Sequence, residues 1–125
     1  MATALESRDF LAEMIGVDGL IAAGRVSDEL RITKIELANA AGLSRDAVSK
    51  TGRMTARATQ TRLREMIEII NRVRPWAGSV QQAFAWYRAQ PLPSFGDQTA
   101  EDLVKQGRGE AVRNYLSRIA VGGYA

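Results

Sequence analysis

The feature that most constrains the fold is a long apolar stripe between residues 63 and 73. Its members follow one another at intervals of three and four residues: Leu63, Met66, Ile67, Ile70 and Val73. This spacing is typical of a helix that buries one face. Prolines occur only at positions 75, 91 and 93, so we expect this helix to end before Pro75.

Shorter segments on both sides repeat the helical spacing. Apolar pairs within residues 10–15 indicate a first helix that Gly16 and Gly19 break. Ser79 with Gln82 fits a capping box at the start of a later helix, and Thr99 with Asp102 begins another in a similar way. A last helix includes Val112, Tyr115, Leu116 and Ile119 and stops at Gly122–Gly123. No segment alternates apolar and polar residues over the length of a strand. We therefore predict an all-α fold of five to seven helices, with the aromatic residues Trp76, Trp86, Tyr87 and Phe95 in the core.

The residues that most enzymes rely on are missing. The 125-residue chain has neither histidine nor cysteine, and it has no Gly-x-Ser-x-Gly elbow or Walker-type phosphate loop. Carboxylates such as Glu65 and Glu68 stand among arginines at helical spacing, which is typical of a solvated helix face. We therefore expect no enzyme, no cofactor and no metal site.

Charge is unevenly distributed along the chain. Residues 1–30 carry two basic and six acidic side chains, residues 31–76 carry ten basic and four acidic, and residues 77–125 carry five and four. A basic middle segment predicts an anionic partner, with nucleic acid the first candidate. The alternative is that the arginines only solubilise a helical surface.

The segment 34–52 has the pattern of two short helices joined by a tight turn. Leu37, Ala38 and Ala41 face the core on the first helix, and Gly42 stands where the turn needs a positive φ. In the second helix, Ala47 and Val48 point inward. The outward residues would meet base edges and phosphates if the segment reads DNA: Ser44, Arg45, Asp46, Ser49, Lys50 and Arg53.

This segment resembles the helix-turn-helix of Xre-class repressors. Ala38, Gly42 and Val48 match the alanine, the glycine and the later hydrophobic residue of the family pattern. Thr51 departs from it, because the family usually carries a larger aliphatic residue there. The resemblance implies that the outward residues bind operator DNA as part of a homodimer. We expect the helices of the C-terminal half and the stripe ending at Val73 to hold that dimer together.

The C-terminal part resembles the toxin-binding domain of Xre/MbcA/ParS antitoxins. The matching positions are Trp86, Pro91, Leu92, Pro93, Gly96, Thr99, Leu103, Gly109, Val112, Leu116, Ile119, Gly122, Tyr124 and Ala125. Ala100 departs from the family proline, and Phe95 stands in a turn that often has two glycines. Together with the helix-turn-helix, the resemblance covers about residues 30 to 125.

The resemblance implies the antitoxin of a type II toxin–antitoxin system. Such a protein blocks the entrance to the NAD pocket of a RES-domain toxin with its C-terminal segment, and it represses its own operon. The residues implied to contact the toxin are Arg118, Gly122, Gly123, Tyr124 and Ala125. The implied division is an N-terminal part, 1–76, with the DNA-binding motif at 34–52, and a toxin-binding part, 77–125.

Two other classes of function remain open. One is a plain repressor whose C-terminal half only dimerises, and the other is an adaptor that keeps the fold but has no toxin partner. The N-terminal residues lack a basic region followed by an apolar run, so we expect no signal peptide and a cytoplasmic location. No apolar stretch approaches the roughly 20 residues of a membrane span, so we expect no membrane partner.

Overall fold

The structure, a computed structural model, describes residues 10–49, 53 and 55–122. Its helices are α1 (Ala23–Leu30), α2 (Lys34–Ala41), α3 (Arg45–Ser49), α4 (Arg57–Ala77), α5 (Val80–Ala89), α6 (Ala100–Lys105) and α7 (Gly109–Gly122). Residues 10–14 are also helical, and Pro93–Phe95 form one turn of 3-10 helix. In these ranges the extended pairings are two isolated bridges, Ile15 with Ile21 and Leu92 with Gln98, and there is no strand. The all-α prediction is confirmed.

Helix α4 is the centre of the fold, and α5 and α7 pack along it. All five residues of the apolar stripe are at most 1% exposed, as the spacing predicts. The stripe is therefore packed in the core of its own chain. Its side chains are not accessible to a second copy, so the prediction that the stripe helps to hold a dimer is wrong.

The end of α4 also differs from the prediction. The helix continues through Pro75 to Ala77 and ends at Gly78, whose N–H donates to Arg74 O at 2.9 Å. Proline lacks an N–H and therefore removes one hydrogen bond of the helix. Here that bond falls in the last turn, where few further hydrogen bonds depend on it, so the helix keeps its geometry to its end.

Side chains from both halves of the chain form one apolar cluster. Phe10, Leu37 and Ile67 belong to it together with Leu103 and Leu116. A polar contact also joins the halves, because Arg62 Nη1 on α4 donates to Val104 O, in the last turn of α6, at 2.7 Å. Helix α2 packs directly against α6 in this cluster.

Side-chain caps fix where three helices begin. Thr99 and Asp102 form a capping box at α6, as predicted. At the start of α5, Ser79 Oγ accepts the Gln82 N–H, but the Gln82 side chain accepts from the Ser79 hydroxyl, so only the first half of the predicted capping box forms. A further capping box, which the sequence analysis missed, begins α2. Glu36 N–H donates to Thr33 Oγ1 at 3.0 Å, and Thr33 N–H donates to Glu36 Oε1 at 2.8 Å. The backbone and hydroxyl of Thr33 lower the pKa of the Glu36 carboxyl, because they stabilise its charged form.

None of the helices over the described ranges combines the length and apolar character that crossing a bilayer requires.

Candidate functional site

The turn between α2 and α3 is built around Gly42. Its φ is 72°, and the Leu43 N–H donates back to Ala38 O at 2.8 Å, which closes the end of α2. A Cβ at this position would lie 2.9 Å from both Arg62 Nη1 and Lys105 Cα. Gly42 therefore serves two purposes, because it supplies the left-handed turn and lets α2 approach α6 closely.

Ala47 and Val48 of helix α3 are buried, and other residues of this segment face solvent. Ser44, Arg45 and Arg53 are exposed, and Asp46 is half-exposed. The structure gives Ser49 as the last residue of α3, and Lys50 lies outside the described residues. The inward and outward faces thus follow the predicted pattern wherever the side chains are described.

Two of the residues predicted to contact DNA bind each other. Arg53 Nη1 lies 3.3 Å from Asp46 Oδ2, and both side chains are largely exposed. An ion pair in this setting contributes little to stability, about 0–1 kcal/mol. It does, however, offset the charge of Arg53 next to Arg45, so the positive potential of this surface is smaller than a count of arginines suggests.

A second candidate surface is an apolar groove in the C-terminal part of the chain. Its volume is about 260 Å³, and it is lined by Trp76, Trp86, Gln90, Pro91, Leu92, Pro93, Tyr115, Leu116 and Ile119. We call this the Trp groove, because both tryptophans of the chain line it. Among the described lining residues, the polar side-chain groups are the Gln90 amide, the Tyr115 hydroxyl and the two indole N–H groups, and none of these residues is charged.

Several contacts fix the wall of the Trp groove that carries the two prolines. The Leu92 N–H donates to Gln98 O at 2.9 Å, which closes the loop that carries the two prolines. The Phe95 ring meets Tyr115 edge to face at 5.7 Å between centroids, and the Arg108 guanidinium stands over Phe95 at 5.6 Å. The proline wall is therefore fastened to α7.

Of the predicted core aromatics, Tyr87 is fully buried, as predicted. Trp86 and Phe95 are partly buried against the core. The prediction for Trp76 is wrong, because its side chain is 40% exposed. It follows Pro75 in the last turn of α4, which extends beyond the predicted end, and this extension carries Trp76 to the rim of the groove.

The predicted toxin-binding residues lie at the end of α7. Arg118 is exposed and neighbours Ile119, a lining residue of the Trp groove. Gly122 is the last residue of α7, while Gly123, Tyr124 and Ala125 lie outside the described residues. Arg118 and Gly122 are thus one and three positions from Ile119 along α7.

The sequence analysis did not anticipate the Trp groove, because its residues come from four separate segments. Only the co-occurrence of two tryptophans and two prolines within residues 76–93 could have pointed to it. In the part of the chain that is described, no group of acidic residues is placed to hold a metal ion. Searches with family models, among curated proteins and among solved structures found no match to this chain.

Proposed function

We propose that this chain is an antitoxin that neutralises a RES-domain, NAD-consuming toxin with the C-terminal end of α7 and the residues after it. The observation that carries the proposal is the position of the Trp groove beside Ile119 and Arg118. The last described turn of α7 therefore contributes Ile119 to an apolar surface that a protein partner can cover.

Local structure at the matched positions also supports the proposal. Thr99 and Asp102 cap α6, so the departure at Ala100 leaves the start of this helix intact. A Cβ on Gly109 would lie 2.7 Å from Glu65 Oε1 and 3.1 Å from Glu65 Cβ, so a larger residue there requires the Glu65 side chain to move. Val112 and Leu116 are buried. These residues have packing roles, so they support only a resemblance in backbone fold to the antitoxin domain. The proposed blocking function rests on the end of α7.

We further propose that the segment 34–52 represses the operon of the toxin–antitoxin pair. The exposure of Arg45 on α3, within the basic middle of the chain, supports this role. A single segment of this kind touches few base pairs, so we propose a homodimer that spans half-sites about 34 Å apart. Since α4 buries its stripe internally, the dimer contact must lie elsewhere.

The test is expression of the product of the adjacent reading frame with and without this chain. We expect growth arrest and a fall in cellular NAD without it, and rescue with it. Deleting Gly122 to Ala125 removes only the end of the last helix and the residues after it, so the thermal transition should change little. The same deletion should weaken the complex by about 30-fold, since an anchor in a pocket contributes about 2 kcal/mol.

The control is Arg64→Ala, which removes an exposed cation from α4 and should rescue fully. A truncated chain that folds, binds and rescues like the full chain rules out the blocking mechanism. A neighbour that is not toxic, together with salt-dependent binding of this chain to a palindromic site, would favour the plain repressor.

A further inference from the structure

We infer that the Trp groove is a second contact of the same complex, and that it takes one large apolar side chain of the toxin, presented beside a carboxylate. This inference rests on the proposed function, because it names the toxin as the occupant. It extends that function from the end of α7 to a preformed site on the folded body of the chain.

The size and lining of the groove favour a side chain over a free metabolite. Pockets for drug-sized ligands usually have volumes of about 300–1,000 Å³, and this groove has about 260 Å³. Among the described lining residues, the polar side-chain groups are the Gln90 amide, the Tyr115 hydroxyl and the indole N–H groups of Trp76 and Trp86. None of them is charged, so the phosphates of a nucleotide would find no cationic partners in the lining. An apolar side chain needs no such partners, and it would cover Trp76, which is 40% exposed.

A second copy of this chain is the alternative occupant. A two-fold dimer whose axis passes through the groove would place one concave groove against another and fill neither. The other exposed large hydrophobic residues in the described part of the chain are Val17 and Ile35, and neither lines the groove. A two-fold dimer could insert one of them into the partner's groove reciprocally, and such a contact would depend on protein concentration without any toxin.

The charges beside the groove favour an acidic neighbour on the occupant. Arg118 is exposed one turn along α7 from Tyr115. Arg108 stands over Phe95, which contacts Tyr115. Two guanidinium groups therefore lie near the Tyr115 part of the α7 wall, while the described lining residues are uncharged. A carboxylate at the edge of an inserted apolar side chain would complement them.

The groove is also continuous with the proposed interface. Ile119 lines the groove, and three residues later Gly122 ends α7, where the proposed blocking segment begins. A toxin that holds this segment would therefore pass over the groove. Because the prolines and the Leu92–Gln98 pairing fix the opposite wall, this wall loses little conformational freedom on binding.

The two tryptophans allow a direct test, since both report on the groove. The full chain is labelled with 5-fluorotryptophan, and its two ¹⁹F resonances are assigned with Trp76→Phe and Trp86→Phe. Purified, unlabelled toxin from the adjacent reading frame is then added. We expect both resonances to shift at saturation and the solvent isotope shift of the Trp76 resonance to fall, since its ring becomes covered.

Affinities of variants complete the test. Trp76→Ala should weaken toxin binding at least tenfold, and Arg118→Glu should weaken it and reverse part of its salt dependence. Val17→Ala is the matched control, since it trims an exposed apolar residue that does not line the groove, and its affinity should equal that of the unchanged chain.

Each contrary outcome has its own meaning. If the toxin binds but neither resonance shifts and Trp76→Ala binds with unchanged affinity, the groove does not contact the toxin and the inference is wrong. The proposed blocking role of the α7 end is then unaffected. If resonances shift with protein concentration alone, the occupant is a second copy and the inference is wrong. If the toxin does not bind the unchanged chain at all, the proposed function fails and the inference fails with it.

Discussion

The hydroxyl of Tyr87 donates a hydrogen bond to the backbone carbonyl of Ala40 at an O···O distance of 2.6 Å, and both residues are buried. Ala40 lies in the last turn of α2, where carbonyl groups lack partners within the helix. One side chain of α5 thus satisfies a buried acceptor in the segment proposed to bind DNA. The two proposed interaction surfaces are therefore parts of one packed body.

Replacing Tyr87 with phenylalanine should destabilise the fold without changing its shape. The ring still fills its place, but the Ala40 carbonyl loses its donor, which costs about 1–3 kcal/mol when the acceptor is buried. Urea denaturation followed by circular dichroism at 222 nm measures the change. Tyr115→Phe is the control, since this ring is only half-buried, and we expect a change within about 0.5 kcal/mol. Equal effects of the two substitutions would contradict the role given to the hydroxyl.

The same tyrosine predicts a loss of stability at alkaline pH. Burial raises the pKa of Tyr87 well above its ordinary value of 10, and the negative charges of Glu101 and Glu65 raise it further. The unfolded chain releases this proton near pH 10, whereas the folded chain retains it. The contribution to the free energy of unfolding is therefore complete below about pH 10 and is lost as the pH rises towards the folded pKa.

Absorbance at 295 nm checks this directly, because it reports tyrosinate. We expect one of the three tyrosines to ionise only when the chain unfolds, and this late step to be missing in Tyr87→Phe. A titration in which all three tyrosines ionise together, while the chain stays folded, would show that Tyr87 is not protected.

Much of the fold can be predicted because its signals are local. The apolar stripe of α4 depends on spacing alone, and the caps at Ser79 and Thr99 depend on residues three positions apart. Each such feature is decided within one or two helical turns. The positive φ of Gly42 belongs to the same group, because a tight turn between two short helices requires it wherever the turn lies.

The Trp groove could not be predicted in this way. It depends on how far α4 continues past Pro75, and that is settled by the last turn of the helix and by Gly78. A difference of three residues in where this helix ends decides whether the Trp76 side chain lies in the core or at the rim of the groove. The Asp46–Arg53 ion pair could not be predicted from the sequence either, since the two residues are seven positions apart and the pair depends on the path of the chain after α3.

Gly42→Ala should cost more stability than Gly96→Ala, although both glycines have a positive φ, 72° and 67°. A residue with a Cβ in this conformation costs about 1–2 kcal/mol, and this is the whole cost expected at Gly96, where a Cβ would meet no atom within 4 Å. At Gly42 the Cβ would also lie 2.9 Å from the Lys105 backbone, which adds about 1–3 kcal/mol of overpacking. Thermal denaturation of the two variants measures the difference. Equal losses would mean that α2 and α6 do not approach as closely as described.

Operator binding should depend on Arg45 and Lys50. Arg45 is exposed on α3, and Lys50 lies outside the described residues but follows α3 directly. If both side chains contact phosphates or base edges, replacing both with alanine should lower the affinity. It should also flatten the dependence of log K on log salt by about 0.9 for each lost phosphate contact. Fluorescence anisotropy with a labelled fragment from upstream of the gene, at several salt concentrations, measures both quantities.

The control must remove the same charge from elsewhere, because any loss of two cations weakens attraction to DNA. Arg108→Ala combined with Arg118→Ala does this on the C-terminal part, where both residues are exposed. A long-range electrostatic effect would weaken binding equally in the two double variants. Direct contact predicts a much larger loss for the Arg45 and Lys50 pair, together with the change in salt slope. If that pair binds with unchanged affinity and slope, the segment 34–52 is a structural part of the core, and the role in DNA binding must be abandoned.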